Sequence, residues 1–327
     1  MKNSLLRYLL LVLVLFSSLM QLYSCDSKPG TDPDNPGGDK PGEETQVFKR
    51  STVIQNFVEY RNGNFPLIIS VPHGGGESDN SFTVRTQENT ADPDFATVRD
   101  MYTMELAHLI DSMLHARTGK YAHVVICRLR RTYVDMNRQR QYAVPQGSRQ
   151  EGVYDLYHSR LQNTRNLVTI ESGRGLVLDI HGHAHEIQQV ELGYSLSRSE
   201  LNMSDNELIN GNYASESSIY SLSKNNKQGK NFVEMLRGAY SFGNFLAARN
   251  VPCIPHSANP SPGTNGYFSG GYITTTYGSS GTGGGTVDAI QMEFDSTARS
   301  AERRKEYASN VVDAILQFLD TNYQFRN

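Results

Sequence analysis

The sequence predicts a single α/β domain in three layers, with a mostly parallel or mixed central sheet, and three observations carry that reading. Four short apolar runs, "PLIISVP" (66–72), "AHVVIC" (122–127), "GLVLDI" (175–180) and "AIQMEF" (289–294), read as strands. Longer stretches with apolar residues at helical spacing lie between and after them. From about Gln46 onward no change of composition, repeat or second linker divides the chain. Continuous apolar strands alternating with helices indicate a sheet covered on both faces.

The elements follow in order. Residues 1–24 read as a signal segment: Lys2 and Arg7 make a positive start, and the apolar core from Tyr8 to Phe16 is short for a membrane span. It closes in "LYSC", which resembles the lipobox of bacterial lipoproteins, where the cysteine (here Cys25) is lipidated and becomes the mature N-terminus. The alternative is an ordinary secretory signal. Residues 25–46 are dense in Pro, Gly and Asp and cannot bury a core, so they read as a flexible tether. The expectation is an exported protein held to the membrane by lipid, with the folded domain spanning 47–327.

Within that domain, helices are expected over 98–114, 154–170, 231–249 and 301–319. Cys127 and Cys253 could form one disulfide in an oxidising compartment or remain core thiols. A net charge of -3 and dispersed basic residues give no sign of nucleic-acid binding. The Gly-rich run 278–286 lacks the Gly-Lys-Ser/Thr end of a phosphate-binding loop and reads as a mobile loop beside the pocket.

Ligands of such sheets sit beyond the carboxyl ends of the strands, so each strand can be asked what it delivers there. The first delivers "HGGGE", with His73 and Glu77; the third "HGHAH", with His181, His183 and His185; the fourth Glu293. The second is followed by "RLRRTYVDMNRQR", with Arg128, Arg130, Arg131, Asp135, Asn137 and Arg138. Catalytic zinc takes three ligands from His, Glu or Asp and keeps one position open. His73 and His181 are natural ligands on that basis. His183 and His185 are expected to shape the pocket, with His183 toward substrate. Tyr272 and Tyr277, in "GGYITTTYG", lie near Glu293 in sequence, and Tyr272 is the candidate for substrate contact.

The motifs "SVPHGG", "YVDMNR", "YDLYHSRL", "LDIHGH", "YFSGGYITTTYG" and "IQMEF" occur in the order found in the N-formylglutamate amidohydrolase family, which the chain resembles from Ser70 to Arg299. The resemblance implies a zinc-carboxypeptidase-like fold and a Zn2+ cofactor held by His73, His181 and one acidic residue. Glu77 and Asp100 are the two choices for that residue. "HGGGE" has one residue more between histidine and glutamate than a carboxypeptidase-like site, whereas Asp100 matches an acidic position of the family. The resemblance also implies that Glu293 is the general base and that Asn137 and Arg138 bind a substrate carboxylate. The basic run itself offers Arg131 or Arg130 to polarise the carbonyl or add a second clamp. His158 matches a family histidine without an assigned role.

The function expected is therefore a zinc-dependent hydrolase of a small amide or peptide that carries a carboxylate. "HGHAH" and "ELGYSLSRSEL" add polar groups beyond those of the simplest formylglutamate enzymes. A peptide, γ-glutamyl or cell-wall fragment is thus as well matched as an N-formyl amino acid. A metallocarboxypeptidase shares the same site. A surface binding lipoprotein without catalysis is the alternative of another class.

Overall fold

The structure is a computed structural model that describes residues 48–281 and 284–326. The signal segment, Cys25 and the tether lie outside the described residues. None of the described helices is long and apolar enough to cross a membrane.

Eight strands form one mixed sheet: β1 (Thr52–Gln55), β2 (Val58–Arg61), β3 (Leu67–Val71), β4 (His123–Cys127), β5 (Gly175–Gly182), β6 (Val190–Gly193), β7 (Cys253–Ile254) and β8 (Val287–Phe294), in the order β1-β2-β4-β3-β5-β8-β6-β7. The four strands expected from apolar runs are the adjacent, mutually parallel centre, β4-β3-β5-β8. The wings are antiparallel where they join it: β2 on β4, and β6 on β8. The sequence reading missed these wing strands for a physical reason. They are at most four residues long, and β1 is exposed throughout, so none makes an extended apolar run.

Alternate residues of the central strands face opposite layers, as the two-residue period of a strand requires. Leu67, Ile69 and Val71 of β3, with Leu178 and Ile180 of β5, face one core; Ile68 and Val177 face the other. Helices α1 (Thr103–Thr118), α3 (Phe242–Ala247) and α5 (Arg304–Asn322) cover the first face, and α2 (Glu151–Ser172) and α4 (Tyr272–Tyr277) the second.

Two helix expectations change, and one helix is added. The run 231–249 is two short helices, Phe232–Leu236 and α3, because the chain turns at Gly238 and Ser241 caps a new start by accepting the Asn244 N–H. The pattern beginning at residue 98 becomes helical only at Thr103, since Tyr102 sits in the left-handed region at φ 69°. "YITTTY", to which the sequence reading assigned no element, is helix α4. Cys127 and Cys253 are buried free thiols on β4 and β7, separated in the sheet by β3, β5, β8 and β6, so the disulfide alternative is excluded.

Candidate metal centre and active site

Because β3, β4, β5 and β8 run parallel, their carboxyl ends share one edge, and the segments leaving them form a polar cavity of about 430 Å³. His73, Asp100, Arg131, Asn137, Arg138, His181 and Glu293 all line it.

The loop after β3 lies tight against the segment leaving β4. A Cβ at Gly75 would sit 2.3 Å from the Arg128 backbone, so only glycine allows that approach. His73, two residues earlier, lines the cavity, and its backbone oxygen accepts the Asp100 N–H at 3.1 Å. His73, Asp100 and His181 then converge, with one donor atom from each lying within 4.8 Å of the others.

The hydrogen bonds fix which atoms these are. His73 Nε2 donates to Asp135 Oδ1 at 2.7 Å, and His181 Nε2 donates to Asp179 Oδ2 at 2.8 Å. A carboxylate can only accept, so both imidazoles carry their proton on Nε2 and present the Nδ1 lone pair. Those Nδ1 atoms lie 3.5 and 3.4 Å from the same oxygen, Asp100 Oδ2. Among the described residues, the buried His73 Nδ1 has no hydrogen-bond partner. Carboxylate-braced histidines that face a third carboxylate with free nitrogens have the arrangement of a metal site.

Charge placement agrees. Burial alone would raise the Asp100 carboxyl, but its contacts with His181 and His73 outweigh burial and hold it well below the usual range. Burial works against a charged His181, yet Asp179, Glu293 and Asp100 push its proton affinity well above that of a free imidazole. So much negative charge around these ring nitrogens favours a positive charge between them, whether a proton or a metal ion. Glu293 stands beside this group, its Oε1 3.9 Å from His181 Nδ1, and burial pushes its carboxyl up to about 8.

Glu77 is corrected. Its backbone pairs with Leu129 as an isolated bridge, and its half-exposed carboxylate turns to Arg128 at 2.6 Å, outside the cluster. The extra glycine moves the side chain away from the histidines, and Asp100 is the acid that meets them.

Of the arginines, Arg128 is held by Glu59 and Glu77, and Arg130 by the Gly76 carbonyl. Arg131 alone among these three lines the cavity. Its Nε donates to Asp135 at 2.9 Å, and among the described residues its two terminal nitrogens make no protein hydrogen bond. Burial opposes its charge, but Asp135, Asp100 and Glu293 hold it protonated. Arg138 also lines the cavity, but its three nitrogens already donate to Asp92, the Asn137 carbonyl and the Asp94 carbonyl. The free guanidinium edge in the cavity is therefore that of Arg131. Asn137 is anchored by Oδ1, which accepts the Ile273 N–H at 2.9 Å.

Four other candidates fall outside this cavity. His183 does not line the cavity: its Nε2 donates to the Gln189 carbonyl at 2.8 Å and its Nδ1 accepts the His185 N–H at 3.1 Å. Tyr272 lines a separate open cavity with Gln139, Arg140 and Gln146. His158 is a half-buried residue of α2 whose Nδ1 meets the Tyr277 hydroxyl at 2.8 Å, and burial lowers its pKa to about 4. The described part of the Gly-rich run does not line the cavity either, and it is held to Ser218 and, through the Gly278 and Gly284 carbonyls, to Arg165. Thr282 and Gly283 lie outside the described residues.

The sequence reading overlooked Asp179 and Gln291. Each precedes a site residue by two on the same strand, and β5 and β8 pair Asp179 with Gln291 and His181 with Glu293. The two-residue period puts all four on one face, which was the available signal.

No family model matches the chain. No curated protein matches it either. Among solved structures, the chain is similar to N-formylglutamate amidohydrolase from Ralstonia eutropha JMP134, with a TM-score of 0.46 and 10% identity, covering 78% of this chain and 94% of that one. It is similar to a metallo-carboxypeptidase from Burkholderia cenocepacia at a TM-score of 0.39 and 10% identity, covering 84% and 66%. The zinc-free apo form of YndL overlaps at 0.30 and 11% identity, covering 81% and 90%. Overlap at this level carries no argument about the site, whose chemistry follows from its own atoms.

Proposed function

We propose that this chain is a zinc-dependent hydrolase that cleaves an amide bond close to a substrate carboxylate. One observation carries the reading: two buried imidazoles turn their Nδ1 atoms to Asp100, and His73 Nδ1 has no hydrogen-bond partner among the described residues. A buried polar atom without a partner is costly, and a cation shared with Asp100 and His181 removes that cost. The two-nitrogen, one-carboxylate set suits zinc and leaves a further coordination position. When bound, zinc would polarise the scissile carbonyl and make a water acidic near neutral pH.

The chain's own residues supply the rest. Asp135 and Asp179 hold the two histidines in the tautomer that keeps Nδ1 free. Glu293 Oε1 is engaged by a side-chain amide, while Oε2 has no hydrogen bond among the described residues and is the atom to take the proton from water. The same oxygen then returns that proton to the departing nitrogen. Arg131 offers two free N–H edges to the substrate's carbonyl or carboxylate oxygen, a geometry lysine cannot reproduce.

The substrate class is an N-acyl amino acid, a γ-glutamyl compound or a small peptide bearing a carboxylate. We carry the lipid anchor at Cys25 and the exported, membrane-attached location as part of this proposal. Cys25→Ala should shift the protein out of the membrane fraction; unchanged processing and detergent partitioning would reject lipidation. The catalytic reading is tested by screening N-acylated amino acids and small peptides with purified protein, with and without added zinc. Release of a free amine that requires zinc is expected, and no turnover on any amide at full metal loading would reject it.

A further inference from the structure

Glu293 receives its hydrogen bond from Gln291, and the geometry points to Gln291 as the positioning residue for the proton acceptor. This deepens the hydrolase reading above and rests on it. Gln291 is buried, two residues before Glu293 on β8, and its Nε2 donates to Glu293 Oε1 at 2.9 Å. Its Oε1 accepts two N–H groups, from Gly271 at 2.8 Å and from Asn137 Nδ2 at 3.3 Å. Asn137 Oδ1 in turn accepts the Ile273 N–H at 2.9 Å.

The direction of every bond in this series is forced. A backbone N–H can only donate, so Asn137 must turn its oxygen to Ile273 and its NH2 to Gln291. Gln291 must then turn its oxygen to Asn137 and Gly271, and its NH2 to Glu293. Neither amide can flip without setting donor against donor or acceptor against acceptor in a buried place, which costs the full desolvation of each group. His181 Nε2, 3.4 Å from Asn137 Nδ2, already donates to Asp179 and so offers no competing acceptor.

Two consequences follow. The donor fixes Oε1 and leaves Oε2 as the proton-accepting atom. The same amide ties Glu293 to Gly271 and Asn137, which line the cavity beside it, so the base and the surface that seats the substrate move together. Gln291 lines the same cavity, and in this scheme it acts through Glu293.

The test is a double-mutant cycle on hydrolysis, with the metal content of each variant measured. Gln291→Met keeps length and loses the donor. In the wild-type background it should lower kcat about ten- to a hundredfold, the range expected when a catalytic group is displaced by about an ångström. KM should change little and metal content should stay at the wild-type level. In the Glu293→Gln background the same change should cost nothing further, because there is no base left to position. Effects that multiply in the double variant, or equal losses in kcat and stability, would overturn the assignment. A readout without substrate separates this from failure of the hydrolase reading. In protein labelled with 15N-glutamine, the Gln291 side-chain amide, assigned by its loss in Gln291→Met, should exchange slowly and be released in Glu293→Ala. Exchange that is already fast in the wild type, or unaltered by Glu293→Ala, would reject the contact whatever the enzyme hydrolyses.

Discussion

Two clusters of histidine and carboxylate meet at the carboxyl end of β5, which gives His181 to one and is followed by His183 and His185 of the other, and they differ in what their nitrogens already hold. In the first, His73 and His181 use Nε2 on Asp135 and Asp179 and turn Nδ1 toward Asp100. In the second, His183, His185 and Glu191 also bring three potential ligand atoms within 4.8 Å. There, however, both nitrogens of His183 are bonded to the chain, His185 Nδ1 donates to Glu191 Oε1 at 2.7 Å, and Glu191 Oε2 accepts the Phe268 N–H at 2.8 Å. Ligand types in proximity do not make a metal site. What separates the clusters is a buried lone pair left without an internal partner, present at His73 and absent at His183. The second cluster instead fastens the loop after β5 to β6 and to Phe268, which lines the cavity.

The largest expected effect breaks the comparison directly. His181→Ala should lose both bound zinc and turnover, whereas His183→Ala should keep one zinc per chain by elemental analysis. His183→Ala should instead lower thermal stability, by roughly 1–3 kcal/mol for removing a buried, doubly bonded group. A stoichiometry that falls equally in both variants would erase the distinction.

Next in size is the separation of metal from proton transfer. Glu293→Gln should retain zinc at the wild-type level and lose about a hundredfold to ten-thousandfold in kcat, the usual contribution of a general base. If zinc is lost as well, Glu293 is a ligand and belongs with the first cluster. Retention of full turnover would assign the proton acceptor to another group.

The centre of this site was legible because strand ends announce themselves. Apolar runs that stop in "HGG", "HGH" and "EF" name His73, His181 and Glu293, and a parallel sheet must bring such ends to one edge. The supports were harder to see. Asp179 and Gln291 sit inside runs read as apolar strands, and only strict attention to the two-residue period separates them from core. Choosing Asp100 over Glu77 required the backbone itself, since the route of a three-glycine loop is not written in side-chain types. Arg131 and Arg138 are equally basic in sequence, and only the acceptors around them tell which has free edges. The short wing strands were not legible at all, because four-residue strands carry too little pattern.

The arginine contrast gives a third, smaller effect. Arg131→Ala should cost on the order of 2–5 kcal/mol of transition-state binding for a substrate with a free carboxylate, if its edges read that charge. On the amidated analogue the loss should be much smaller. Arg138→Ala should weaken both substrates alike, because its bonds to Asp92 and to the carbonyls of Asn137 and Asp94 shape the wall rather than meet the ligand. A preference for the free acid that vanishes in Arg138→Ala and survives in Arg131→Ala would reverse these roles.

The smallest effect concerns a buried acid satisfied from within, like the second cluster. Asp288 opens the amino-terminal half of the strand that carries Glu293, and it is held by Ser279 Oγ, the Tyr323 hydroxyl at 2.9 Å and the Leu222 N–H at 3.2 Å. Burial raises its pKa from 3.8 to about 6, and these three donors only partly offset the rise. The folded state thus keeps a proton that the unfolded chain releases near pH 4. Stability from this group is fully present below pH 4, declines as pH rises toward 6, and is constant above it. The decline is on the order of 2–3 kcal/mol, since each unit of pKa difference corresponds to about 1.4 kcal/mol. Asp288→Asn keeps the shape and does not titrate, so the difference in unfolding free energy between wild type and variant should change across pH 4–6 and stay flat from pH 6 to 8. A difference that is flat from pH 4 to 8 would mean that the native carboxyl titrates normally, its donors fully compensating for burial.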